Sequence, residues 1–279
     1  MNYEQFKALV ALEKGAAAPT AQQIACGWAD DKGITAAGYA ALEPYRTKRA
    51  IFIAAGFGSR LRPVTLEMPK PLVKVNGTRI IDTLIDGVMA AGIEEIYVVC
   101  GYLGEQFEQL KEKYPNVQLV TNTMYTECNN ISSAWLMREH LQNAYVLEAD
   151  LLVRNPAIFD KYLYHSAYLG IPTDGINDWY FKTDADGFIY EVGENCADPC
   201  YQMLGISYWN EADGTTLPAH LEETFPDHKD EDWCYVPMFK YKDVYKVHVR
   251  PCAAEDICEI DHFDELCEID PSYNAWRNK

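Results

Sequence analysis

The chain has 279 residues, 48% of them hydrophobic, enough to bury one sizeable core or one core with a small appendage. Its 42 acidic against 24 basic residues give a net charge of −18, which argues against nonspecific binding to nucleic acid or anionic membrane, because phosphates would be repelled. No secretory signal and no apolar run long enough to span a bilayer stand out, so a cytoplasmic protein without membrane insertion is expected.

Tyr3–Glu13 and Thr20–Ala29 carry helical spacing, and Gly33-Ile-Thr35 opens a third helix through Leu42, with Thr35 as its N-cap. This segment holds four Lys/Arg against five Asp/Glu, the wrong balance for a DNA-binding face. Residues 1–46 are therefore expected to be a small helical extension, serving packing or a homodimer contact, ahead of a main unit over 47–279.

The run Ile51–Pro71 reads IFIAAGFGSRLRPVTLEMPKP. Ala50–Ala54 is a short apolar run suited to a buried parallel strand. It leads through Ala55 into a loop of Gly56, Gly58, Ser59, Arg60 and Arg62. Glycines there let backbone N–H groups approach an anion without Cβ obstruction, and the arginines add forked donors for phosphate oxygens. Lys70, between Pro69 and Pro71 on an extended stretch, can reach back over the loop. A P-loop would need Gly-Lys-Ser/Thr, which is missing, and Arg60 stands where the dinucleotide fingerprint has its third glycine. The whole string, Ala-Ala-Gly-x-Gly-x-Arg-Leu followed by Pro-Lys-Pro-Leu, resembles the signature of the sugar-phosphate nucleotidyltransferase superfamily. That resemblance implies a Rossmann-like domain that couples a nucleoside triphosphate to a phosphorylated acceptor and releases pyrophosphate. The helices of 1–46 are then similar to a shortened winged-helix-like extension found ahead of some bacterial members.

Beyond the loop, strand and helix alternate. Ile80–Ala91 is a helix ended by Gly92, Ile96–Val99 a strand closed by Gly101-Tyr102, Glu105–Tyr114 an amphipathic helix and Val117–Thr121 a strand. Asn130–Leu141 is a helix, and Tyr145–Leu147 a strand running into Glu148-Ala149-Asp150. The alternation predicts an α/β fold, a mostly parallel sheet with helices on both faces. Ligands then bind outside the carboxyl ends of the strands, where the Gly56 loop, Tyr102 and Asp150 converge. After Pro156 the segments shorten and become aromatic-rich. Trp179–Thr183 and Phe188–Val192 flank a hairpin turn at Asp184–Gly187, Tyr201–Trp209 is apolar, Glu211–Phe225 is helical, and Val244–Val249 alternates. The acidic stretch Glu255–Asp270 holds a final helix near Phe263–Leu266. Cys196 and Cys200 lie four apart with no second pair at zinc spacing, and all nine cysteines read as reduced thiols.

Nucleotidyl transfer between two phosphorylated partners calls for a divalent cation, magnesium being the expected cofactor. Asp150 and Asp261 each close a short apolar run and are the candidate metal ligands. The base and ribose need short polar groups near the strand ends, and Tyr102, Asn130 and Ser133 are candidates, though Asn130 and Ser133 fit helix capping nearly as well. With Ala54, Ala55, Gly56, Gly58 and Ser59 they make up the expected nucleotide site.

From Arg49 to Asp270 the chain further resembles bacterial CTP:phosphocholine cytidylyltransferases, through Gly101–Phe107, Tyr125–Ser133, Ala144–Asp150, Asn177–Trp179, Gly205–Trp209 and Glu259–Asp261. The resemblance implies that Arg60 and Lys70 hold phosphates, Asp150 and Asp261 hold magnesium, and Asp178, Trp179 and Glu259 surround the acceptor's cationic head. It departs at Asp232-Trp233-Cys-Tyr235, where that family has a Tyr-Trp-Asp-like run. The expected partners are CTP and a small phosphorylated amino-alcohol or phosphonate, phosphocholine first. The same chemistry on 2-aminoethylphosphonate or phosphoethanolamine, or on a sugar 1-phosphate, is the enzymatic alternative. A nucleotide-sensing DNA-binding regulator is the alternative outside enzymes.

Overall fold

The computed structural model describes residues 1–277, so the expected main unit over 47–279 ends two residues beyond the described range. At its centre is a nine-stranded sheet. Arg49–Ala54 pairs in parallel with Glu95–Cys100 on one side and Ala144–Glu148 on the other, and Val117–Thr121 continues the parallel part. Cys200–Trp209 then lies antiparallel beside Ala144–Glu148 and extends the sheet through Ile176–Thr183 and Ile189–Cys196. A strand over Ala167–Thr173, not expected from the sequence, pairs with Cys200–Trp209 and with His248–Pro251.

Alternation along the first strand assigns the two faces. Ala50, Phe52 and Ala54 pack with Ile81, Leu84, Ile85 and Val88 of the helix Ile80–Ala90. Ile51 and Ile53 pack on the opposite face with Ile131, Ala134, Leu217 and Leu221. Because successive strand side chains point to opposite faces, this strand is buried twice, as a nearly unbroken apolar run requires. The α/β fold with helices on both faces is thus the observed one.

Several boundaries differ from expectation. The second helix stops at Ala25, because Gly27 takes a left-handed conformation with φ of 72° and turns the chain away. Ala29–Asp30 and Gly33–Ile34 form a small hairpin, while the third helix, Ala36–Leu42, is capped by Thr35 through Gly38 N–H as expected. Glu105–Tyr114 is mostly a 3₁₀ segment, Gly104–Gln109, with a short α-turn over Leu110–Lys113. Asn130–Leu141 divides into Ile131–Leu136 and a 3₁₀ turn at Arg138–His140. Val244–Val249 yields a strand only from His248, and Tyr245 and Val247 are buried without strand pairing. Val236–Lys240 forms a single π-type turn with Pro237 near its start.

The N-terminal helices build a small core of their own from Phe6, Leu9, Leu12 and Leu42, closed by Tyr162 of the main body. Glu13 pairs with Lys161 and Lys14 with Asp160, at 2.8 and 2.7 Å. No helix among the described residues is long and apolar enough to cross a membrane.

Candidate active site

Outside the carboxyl ends of Arg49–Ala54 and Ala144–Glu148 lies a cleft of about 520 Å³, at the sheet edge where ligands of such folds bind. Its phosphate-like side is the glycine loop. Gly58 has φ of 58°, and a Cβ there would come within 2.8 Å of the Lys70 Cβ. Only glycine therefore allows both the left-handed turn and the close approach of Lys70. Pro69 is extended, and Lys70–Leu72 is a 3₁₀ turn that swings the lysine inward.

Lys70 is 7% exposed, and its ammonium donates to Asp150 Oδ2 and Asp261 Oδ1, both at 2.9 Å. Arg60 donates to the same Asp261 oxygen at 2.9 Å. Burial alone would weaken the charged form of Lys70, but Asp150 and then Asp261 outweigh it, and the ammonium is held above its ordinary range. The sequence-expected metal pair is thereby joined through one lysine.

The cleft as a whole is acidic. Six carboxylates line it, from Glu148, Asp150, Asp178, Asp232, Glu259 and Asp261, against two cationic side chains, Arg60 and Lys70. Burial, then repulsion from Asp150, Glu259 and Asp232, pushes the Glu148 carboxyl well up. Burial and the neighbouring Asp150 and Asp261 push Glu259 up to about 8. Carboxylates crowded into a low-dielectric site behave this way, and Lys70 offsets the effect only in part. Glu148, Asp150 and Glu259 each offer an oxygen within 4.8 Å of the others, a grouping that could hold a metal ion. Asp150 Oδ1 is buried and makes no hydrogen bond, and hard oxygen donors of this kind suit magnesium. The residues present thus fit a divalent cation.

Trp179 is the one aromatic side chain in the lining among the described residues. It packs edge-on against Phe239 at 5.6 Å between centroids, and its backbone N–H is held by the Asp178 carboxylate at 2.7 Å.

A relative from Lancefieldella rimae named 2-aminoethylphosphonate cytidylyltransferase is 38% identical over 80% of this chain and 92% of its own length. The chain belongs to the nucleotidyl transferase family. The family model matches residues 49–167, which carry the glycine loop, Lys70 and Asp150. A choline-phosphate cytidylyltransferase of Streptococcus pneumoniae is 33% identical over 80% of this chain and 96% of its own. The solved CTP:phosphocholine cytidylyltransferase from that organism superposes with a TM-score of 0.74 at 30% identity, covering 81% of this chain and 99% of that one. This nucleotidyl transferase is accordingly an enzyme, and Asp178, Trp179, Glu259 and Asp261 lie beyond the part that the family model matches.

Within the nucleotidyl transferase cleft the structure brings together most of the sequence candidates, from Ala54, Gly56, Gly58 and Ser59 to Asp178, Trp179 and Glu259. Three fall outside the lining. Ala55 is buried and its carbonyl accepts the Tyr102 N–H. Tyr102 donates its hydroxyl to Thr65 O at 3.0 Å and packs on Phe57. Ser133 is 1% exposed and its hydroxyl accepts the Asn122 amide. Asn130 lines the cleft, but its side chain neither caps the helix nor faces the glycine loop, and instead bonds Glu148 and the Trp233 N–H. Glu148 and Asp232 also line the cleft and were not among the sequence candidates. For Glu148 the signal was present: it stands two residues before Asp150, so strand alternation puts both on one face.

Proposed function

We propose that this nucleotidyl transferase is a cytidylyltransferase that couples CTP to a small phosphonate or phosphate carrying a primary ammonium, 2-aminoethylphosphonate foremost, and releases pyrophosphate. The observation that carries the acceptor assignment is the lining of the cleft, where Glu148, Asp178, Asp232 and Glu259 stand besides the two candidate metal ligands, against one aromatic ring. An –NH₃⁺ head has three N–H donors and seeks carboxylate oxygens, whereas a trimethylammonium has none and seeks aromatic faces. The name of the Lancefieldella rimae relative supports the same acceptor.

In this reading the acceptor's phosphonate oxygen attacks the α-phosphorus of CTP. A new P–O bond forms, the bond from the α-phosphorus to the bridging oxygen breaks, and the electron pair leaves with pyrophosphate. The acceptor is already anionic at neutral pH, so no side-chain nucleophile is needed. Arg60 and Lys70 hold phosphate oxygens, the Gly56–Ser59 backbone cradles them, and positioning with charge stabilisation supplies the rate. Asp150 and Asp261 would hold magnesium. When bound, the ion neutralises phosphate charge and polarises the reacting phosphoryl group.

A second reading, phosphocholine as acceptor, rests on the Trp179 ring braced by Phe239 and on the pneumococcal relative's name. Pyrophosphate release from CTP and magnesium, measured with 2-aminoethylphosphonate, phosphoethanolamine and phosphocholine in turn, separates the two. The expected order puts the primary amines ahead. A higher kcat/KM for phosphocholine would install the second reading, and no release with any of the three would end both.

A further inference from the structure

We propose that Glu148 is the carboxylate that reads the acceptor's ammonium, and that Asn130 is the positioning residue that holds it for this task. The inference rests on the primary-amine reading above and gives it a specific residue.

Glu148 ends the central strand Ala144–Glu148, whose partner position across the parallel ladder is Ile53, so its side chain stands at the floor of the cleft. It lies against Gly205, where an added Cβ would come within 2.5 Å of Oε2 and 2.8 Å of the Glu148 Cβ. The missing side chain at 205 therefore makes the room that the carboxylate occupies. The other oxygen, Oε1, accepts the Asn130 amide at 3.2 Å.

The orientation of that amide is settled by a second contact. The Trp233 backbone N–H, which can only donate, reaches Asn130 Oδ1 at 2.6 Å. The Asn130 nitrogen is thereby turned toward Glu148, fixing the carboxylate through one oxygen and leaving the other for a ligand. Asn129 reinforces the arrangement, with its N–H on Lys229 O at 2.7 Å and its side-chain amide on Asp230 O at 3.2 Å. The Asn129-Asn130 pair thus ties down the 229–234 segment, which carries Asp232 to the same cleft. Carboxylates from a strand end and from a distant loop are held in one pocket by a neutral amide, which adds no charge that would cancel theirs.

The competing role is metal binding, since Glu148 shares a three-carboxylate grouping with Asp150 and Glu259. Two features favour the ammonium. Asn130 already engages one Glu148 oxygen, and Lys70 pairs with Asp150 and Asp261 but makes no hydrogen bond to Glu148. Glu148 stands beside Asp150 but takes no hydrogen bond from the lysine that Asp150 shares with Asp261.

The test is steady-state kinetics of Glu148→Gln and Asn130→Ala, with 2-aminoethylphosphonate and with phosphocholine, at several magnesium concentrations. Glu148→Gln keeps the shape and removes the charge. Its KM for 2-aminoethylphosphonate should rise roughly tenfold to a hundredfold, the loss expected for a charge-assisted hydrogen bond. KM for CTP should stay within about twofold, and the preference for the primary amine over phosphocholine should collapse. Asn130→Ala should act in the same direction with a smaller effect. Gly205→Ala, which pushes on Glu148 without touching its charge, is the second variant should either fail to fold, and should lower the same preference. An altered magnesium requirement with unchanged acceptor KM would overturn the inference and assign Glu148 to the metal. Equal losses on both acceptors would overturn it as well. A wild-type enzyme inactive with every amine would instead remove the functional reading, and this inference with it.

Discussion

Replacing Lys70 by Met removes the one cation buried between Asp150 and Asp261 and keeps most of the aliphatic volume. Without metal, the variant leaves Asp150 facing Glu148 and Glu259 with no hydrogen-bonded cation, and leaves Asp261 with Arg60 alone. Removing one partner of a buried ion pair costs about 3–5 kcal/mol. The aspartates keep some solvent exposure, 23% and 25% by side chain, so the lower end applies, about 3 kcal/mol. For a chain of this size that corresponds to a fall in Tm of roughly 6–12 °C. Magnesium bound to the freed carboxylates should restore much of the loss, whereas wild type, whose lysine competes for the same oxygens, should gain little. The assay is thermal unfolding of both proteins in chelator and in millimolar magnesium, with kcat measured alongside. Turnover of the variant should fall on the order of a hundredfold even at saturating CTP, because the charge acts as the phosphoryl group transfers. Equal destabilisation with and without magnesium would refute the idea that lysine and metal share the aspartates. A raised KM for CTP with kcat untouched would reassign Lys70 to ground-state binding.

Three further outcomes are expected. Asp150→Asn and Asp261→Asn should each lower kcat by at least about a thousandfold at limiting magnesium while leaving the melting curve cooperative, since an amide cannot hold a dication among phosphate charges; near-normal turnover would clear that residue of metal binding. Trp179→Ala should lower kcat/KM for phosphocholine by about tenfold, the upper part of the cation–π range, and affect 2-aminoethylphosphonate less; equal losses would make Trp179 a general wall of the cleft. Deleting residues 1–46 should lower Tm, because it uncovers Tyr162 and breaks the Glu13–Lys161 and Lys14–Asp160 pairs, while kcat stays within about threefold, since the cleft lining begins at Ile53; a well-folded but inactive truncation would give the extension a part in the site.

What could be read from the sequence was what depends on neighbours along the chain. The apolar run Ala50–Ala54, the glycine at 58 and the lysine between prolines are local features, and the strand, turn and inward lysine appear where they were expected. Asp150 and Asp261 were legible because each closes an apolar run. Helix lengths were less so, since Gly27 could not be told in advance from a tolerated helical glycine until its positive φ angle was seen. Short polar residues were hardest. Ser133 reads like a ligand-binding group or a cap, yet the Asn122 side chain lies within reach and claims it. Asp232 reaches the cleft because Asn129 bonds Lys229 across a hundred residues, a contact that no spacing rule encodes. Glu148 was within reach of alternation alone, and so was its parallel with Glu259, each two residues ahead of a candidate metal ligand.

The reaction proposed for this cleft joins a cytidylyl group to a phosphorylated or phosphonylated amine. Phosphorus NMR of the wild-type enzyme with CTP, magnesium and 2-aminoethylphosphonate tests it most directly. Loss of the triphosphate and free phosphonate signals, growth of a mixed phosphonate–phosphate anhydride, and one equivalent of pyrophosphate per product are expected. UTP, GTP and dTTP are expected to react far more slowly. Release of CMP and pyrophosphate with the phosphonate signal unchanged, or equal use of another nucleoside triphosphate, would contradict it.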